Sequence, residues 1–347
     1  VAVSCAAAGA ALIAYEPMLA GARVPIALAL AGAVAVGILA GHRGRVGFAL
    51  ATQAFIVMAA VVIAAGALGE PAQHGVAAAA DPGGGNVLAN VSLGAVMLAF
   101  PLGMALATGV EAPSNAIAQL PQLSERGRRV FGRGTLWLMV AIVGTMTLAL
   151  AALAVHLDVG LPGEDSTLLA DIARRILGDG AALGLFQILS ALLLLAAAAS
   201  SYLAGSGVLK ALSGVDHDGG GLLPERLHRE NRFRVAHWGV LAVFLIAAAM
   251  IVAAGGDEQA LVQFYAVSVF ASFLAATLAC ARLSHRDGRY GAMAVNLCGA
   301  ALVALVLALN LTRLDSVIAL LASLALATYL WRAWVARGRP TSLRRAL

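Results

Sequence analysis

The chain has 347 residues, of which 61% are hydrophobic and 12% charged, with a mean hydropathy of +0.90 and a formal net charge of +5. Soluble domains carry about a quarter charged residues, so this composition excludes a water-soluble globular protein and places the chain in a membrane. The three cysteines, Cys5, Cys280 and Cys298, have no paired spacing, which argues against a disulfide framework or a zinc site and reads them as small core residues.

Apolar stretches follow one another at 1–14, 24–41, 46–68, 92–118, 135–157, 181–209, 235–255, 258–281, 291–311 and 316–335. Most approach the ~20 residues that a helix needs to cross hydrocarbon. They are continuously apolar, whereas barrel strands alternate over ~10 residues, so the prediction is an all-α integral membrane protein with ten transmembrane helices. One polytopic domain spans 1–335, followed by a basic tail at 336–347. The first stretch is short and opens on Val1, so the start of the chain reads as cut. The hydrophilic excursions at 69–91, 158–180 and 210–234 are too small for a second domain.

The fourth span carries a carboxylate, Glu111, in "ATGVEAPSNA". An intramembrane acid costs roughly 2.5–3.5 kcal/mol on insertion scales, which makes it a functional candidate by default. Gly103 and Gly109 weaken the helix around it, and Pro113 removes a donor and clashes with the carbonyl four residues back. The expected break near 108–113 frees carbonyls that membrane proteins tolerate where they line a cavity. Thr108, Gly109 and Glu111 are therefore the first candidates for a cation or substrate site, against the plainer reading of a packing kink and an interhelical pair. Gln187 and Asn296, inside later spans, read as interhelical hydrogen bonders.

Alternate loops test the span count. Nineteen of the 23 basic residues fall in one set of loops and the tail, leaving Arg23, Arg174, Arg175 and Arg313 in the other. The positive-inside rule puts the rich set, and with it both termini, in the cytoplasm of a cell or inner membrane. The net charge then reflects topology, with the lipid bilayer as neighbour and no nucleic acid implied.

"ALATGVEAPSNAIAQLPQ" at 105–122 resembles the broken sixth helix of transporters of the amino acid/polyamine/organocation (APC) superfamily, especially the branch with bacterial proton-coupled potassium importers. "GGGLLPERL" at 219–227 with "NRFRVAHWGVLA" at 231–242 is similar to a cytoplasmic loop of these permeases, and "ALVQFYAVSVFASFLAATL" at 260–278 to their tenth helix. The resemblance implies a LeuT-type fold in which the ten spans are helices three to twelve, two being absent at the front. It carries the family's site positions onto Thr108 and Glu111 in the sixth helix and Tyr265 in the tenth. Ser200 and Ser201 fall where many such proteins place hydroxyls on a coupling ion, although serines at packed helix interfaces are common for other reasons.

The function expected is secondary active transport of an amino acid or of potassium, coupled to a proton or sodium. No nucleophile–base pair or metalloprotease motif is visible, so no enzyme, cofactor or resident metal is expected. A homodimer is compatible with the sequence. The alternative is a non-transporting membrane fragment or component that lacks half of the central site.

Overall fold

The computed structural model describes residues 1–41, 45–69, 124–160, 162–163, 165–213, 221–311 and 314–336, and all regular structure among them is helical. The helices are α1 (Ala2–Tyr15), α2 (Arg23–Leu39), α3 (Arg45–Leu68), α4 (Glu125–His156) and α5 (Leu168–Leu177), then α6 (Ala181–Ser213), α7 (His237–Ala253), α8 (Glu258–Arg286), α9 (Tyr290–Asn310) and α10 (Leu314–Ala336). Short 3-10 turns occupy Pro17–Ala22 and Glu225–His228. The chain is a multi-pass membrane protein: among the described residues seven helices are long and apolar enough to cross a bilayer. At 1.5 Å per residue the 14 residues of α1 reach only about 21 Å. That falls short of the ~30 Å hydrocarbon core.

Nine of the ten expected spans coincide with described helices; the fourth, 92–118, lies outside the described residues. One element was not foreseen. The excursion at 158–180, read as a loop, contains α5, which is ten residues long and carries Asp171, Arg174 and Arg175. It is too short and too charged to register as a span. Its local signals are nevertheless regular: the Thr167 hydroxyl accepts from the Ala170 N–H at 3.2 Å, and Gly178 follows the last turn at φ 71°.

The helices group into two compact units. The first holds the described residues up to 69, those from 144 to 261 and 332–336; the second holds 124–143 and 262–331.

In the first unit α6 is the central post, with α1, α2, α3, α5 and α7 packed around it. Small residues allow the approach: Ala8 and Ala11 of α1 are buried against Ala191 of α6. Close packing of this kind is what holds helices together where lipid offers no hydrophobic drive. Larger side chains fill the gap between α3, the end of α4, α5 and α6, where Val62, Leu153, Ile172, Leu183 and Phe186 are buried together. Tyr202, fully buried on α6, donates its hydroxyl to the Ala31 carbonyl of α2 at 3.1 Å. That bond satisfies a polar group which would be costly to leave unpaired.

Gly239 shows how tight the α6–α7 contact is. A Cβ there would stand 3.2 Å from Ser206 Cα and 3.3 Å from its carbonyl oxygen, and backbone atoms cannot swing aside. Gly239→Val should therefore separate the two helices and cost about 1–3 kcal/mol, read as a lower midpoint in thermal melts of the detergent-solubilised chain.

The second unit is held by Ala266 and Phe270 of α8 against Val303 and Val306 of α9. Ser268 of α8 and Ser323 of α10 share a hydroxyl–hydroxyl bond of 2.8 Å. Asn296 of α9 donates across to Ser284 of α8 at 3.4 Å, so it is the interhelical bonder expected of it. Gln187 differs, because its Nε2 is buried with no hydrogen-bond partner among the described residues. The cysteine reading needs correcting: Cys5 is buried, whereas Cys280 and Cys298 are exposed, on faces of α8 and α9 that no described helix covers.

Candidate functional site

Thr108, Gly109 and Glu111 lie outside the described residues. Ser200 and Ser201 sit two-thirds of the way along α6, and both spend their hydroxyl proton on the same acceptor, the Ala197 carbonyl, at 2.8 and 3.0 Å. Such back-bonding satisfies a serine inside a membrane helix and leaves its lone pairs available to a cation. Tyr265 belongs to α8 in the second unit, with its side chain exposed.

The densest polar constellation among the described residues was not anticipated from sequence. It lies at one end of the first unit, where the α1–α2 link, the segment leading into α5 and the turn between α7 and α8 come together. Arg174 of α5 is its hub. Its guanidinium donates to the Ala14 carbonyl at 2.5 Å, to Asp171 at 3.3 Å and to Asp179 at 2.9 Å. Ala14 stands in the last turn of α1, where carbonyls lack intrahelical partners and a cation is favoured.

Asp171 is nearly buried, yet its carboxylate is served from two sides, by Arg174 and by the Ser166 hydroxyl at 2.5 Å. The neighbouring Asp165 turns the other way and pairs with Arg23, the first residue of α2, at 3.0 Å. Adjacent residues of one loop thus tie α5 and α2. A small open cleft beside Arg23 and Asp165 is walled by Glu258 and floored by Gly9 and Ile13, and it admits little more than a water-sized guest. It is too small to hold an amino acid. Among the described residues, no three His, Cys, Asp or Glu side chains gather as metal ligands.

The other end of the unit is fastened by the segment between α6 and α7. Asn231 works in three directions: its Nδ2 donates to the Leu39 carbonyl of α2 at 2.7 Å, while its Oδ1 accepts from the N–H groups of Phe233 and Val235 at 3.0 and 3.1 Å. Gly41, at φ 79°, lies under the Phe233 ring, where a Cβ would approach to 2.9 Å. Lys210, near the end of α6, pairs with Glu230 at 2.6 Å.

That hydrogen bond from Lys210 is the main reason the Glu230 carboxyl is held below its ordinary value, aided by the charges of Lys210, Arg234 and His228. A lowered carboxylate contributes above its unfolded pKa and loses that contribution as pH falls through the folded value. The tie should be intact at neutral pH and open only in acid. In Lys210→Met, the Glu230 carboxyl should titrate closer to an ordinary glutamate, a shift that 13C NMR of glutamate-labelled protein resolves.

Beyond the geometry, the sequence profile of a family described as amino acid permease matches residues 1–331. No curated protein matches the chain.

Proposed function

We propose that this chain, which belongs to the amino acid permease family, is a secondary active transporter that moves an amino acid or potassium in company with a proton or sodium. The observation that carries this reading is the family match, which runs through nearly all the helical spans. An all-α bundle of membrane helices with a glycine- and proline-interrupted span is the arrangement in which alternating access is usually built.

Within that frame Glu111 is the carboxylate that exchanges a proton or coordinates the moving cation, with Thr108 and the carbonyls near Gly109 completing its surroundings. Tyr265 lines the path, and Ser200 and Ser201 offer lone pairs to the coupling ion. The "TGVEA" sequence favours potassium among the substrates, and the family match favours an amino acid. The described polar cleft is too small to hold an amino acid.

Uptake into proteoliposomes containing the chain, with labelled rubidium as potassium surrogate in one arm and a labelled amino-acid mixture in the other, tests the reading. Uptake in one arm above protein-free liposomes names the substrate class. Uptake in neither arm, from protein that retains its helical circular dichroism, contradicts the transporter reading of this chain.

A further inference from the structure

The segment from Glu225 to Arg234 carries four arginines, Arg226, Arg229, Arg232 and Arg234, all exposed and none paired with a carboxylate among the described residues. Its own acids offset only part of that charge. Glu230 is engaged by Lys210, leaving Glu225 at the start of the segment; Asp216 and Asp218 lie outside the described residues. The arginines are also held in place, since Asn231 ties the segment to α2, Lys210 ties it to α6, and the 3-10 turn Glu225–His228 packs on α6 and α7.

A second feature adjoins the cations. Arg232 lies over the Phe233 ring, 4.6 Å from its centroid, and Phe233 is itself exposed. Immediately beyond, Trp238, Leu241 and Leu245 are all exposed on α7. Positions i, i+3 and i+7 share one helix face. The surface therefore passes from guanidiniums, through the exposed Phe233 and Trp238, a tryptophan being a residue that settles at the membrane interface, to an apolar track along a membrane helix. A free anion has no use for the track, and an acidic peptide would not follow it into hydrocarbon. A phosphodiester head with acyl chains matches both parts, the fork of each guanidinium suiting phosphate oxygens.

We propose that Arg226, Arg229, Arg232 and Arg234, with the Trp238–Leu241–Leu245 face of α7, form a binding site for an anionic phospholipid.

The test uses the full chain with Trp137, Trp331 and Trp334 replaced by Phe, so that Trp238 is the sole tryptophan. It is reconstituted in phosphatidylcholine vesicles into which brominated phosphatidylglycerol or brominated phosphatidylcholine is titrated. Quenching should show preference for phosphatidylglycerol of about fivefold or more, the factor expected for each basic residue engaged at a charged surface, and it should weaken as salt rises. Replacing the four arginines with Gln should bring the preference close to unity. The milder pair Arg226→Gln and Arg229→Gln, which spares the Phe233 stack, should lose part of it. Replacing Arg282, Arg286 and Arg289 between α8 and α9 with Gln should leave it unchanged. Equal quenching by both lipids, or a preference that survives the four substitutions, overturns the proposal. So does loss of the preference to inorganic phosphate at matched ionic strength, which would make the site one for free anions.

Discussion

Arg174→Leu should lower the thermal midpoint of the purified chain by several degrees, corresponding to about 3 kcal/mol. The size follows from what the guanidinium leaves behind. Its bond to the largely exposed Asp179 is worth little. Asp171, however, is almost enclosed, and among the described residues it keeps only the Ser166 hydroxyl without Arg174. Removing one partner of a buried pair costs more than forming the pair gains, because the other charge stays out of water. The Ala14 carbonyl also loses its donor. Arg174→Lys should recover part of the loss, since an ammonium supplies the charge but cannot reach three acceptors with a planar fork. The buried Cys5 thiol reports the transition through its reaction with a fluorogenic maleimide, in a background where the exposed Cys280 and Cys298 are serine. An unchanged midpoint for Arg174→Leu would show that α5 is not anchored by this residue.

Glu111→Gln should reduce uptake by about 100-fold while leaving helical content and membrane insertion intact, a loss on the scale of one hydrogen-bonded charged contact. The amide keeps the size and one acceptor of the carboxylate but neither exchanges a proton nor neutralises a cation. Because the substitution removes an intramembrane charge, stability should hold or rise, which separates a functional loss from a folding defect. Ser200→Ala and Ser201→Ala should each have much smaller effects, since the two hydroxyls share the Ala197 carbonyl and either can remain. Full transport by Glu111→Gln would reduce the carboxylate to a packing element beside Pro113.

Hydropathy located the membrane helices because their signal is local and repeated: the stretch at 46–68 became Arg45–Leu68, and that at 291–311 became Tyr290–Asn310. The overall class followed from the same runs. What sequence withheld was contact between distant residues. Arg174 meets the Ala14 carbonyl 160 positions away, and Asn231 meets the Leu39 carbonyl 192 positions away; neither pairing has a periodic signature. The helix that carries Arg174 has a Thr167 cap and a Gly178 terminator in its sequence, but its ten residues of mixed polarity carry no 20-residue apolar signal. The cysteines show the opposite failure. Apolar surroundings in sequence do not distinguish a buried face from an exposed one, and Cys280 and Cys298, expected in the core, are both exposed. For the candidate site, the resemblance supplied Ser200, Ser201 and Tyr265, while geometry added how the two serines are satisfied.

Gradient-driven transport through the proposed Glu111 carboxylate is tested by accumulation in proteoliposomes under an imposed ion gradient. Vesicles holding the chain are diluted to create an inward proton gradient in one arm and an inward sodium gradient in the other, with the substrate found by uptake present at equal concentration on both sides. One gradient should drive internal substrate above the external level, dissipating it with an ionophore should restore equality, and Glu111→Gln should show no rise. Substrate that stays at the external level under both gradients would contradict gradient-driven transport.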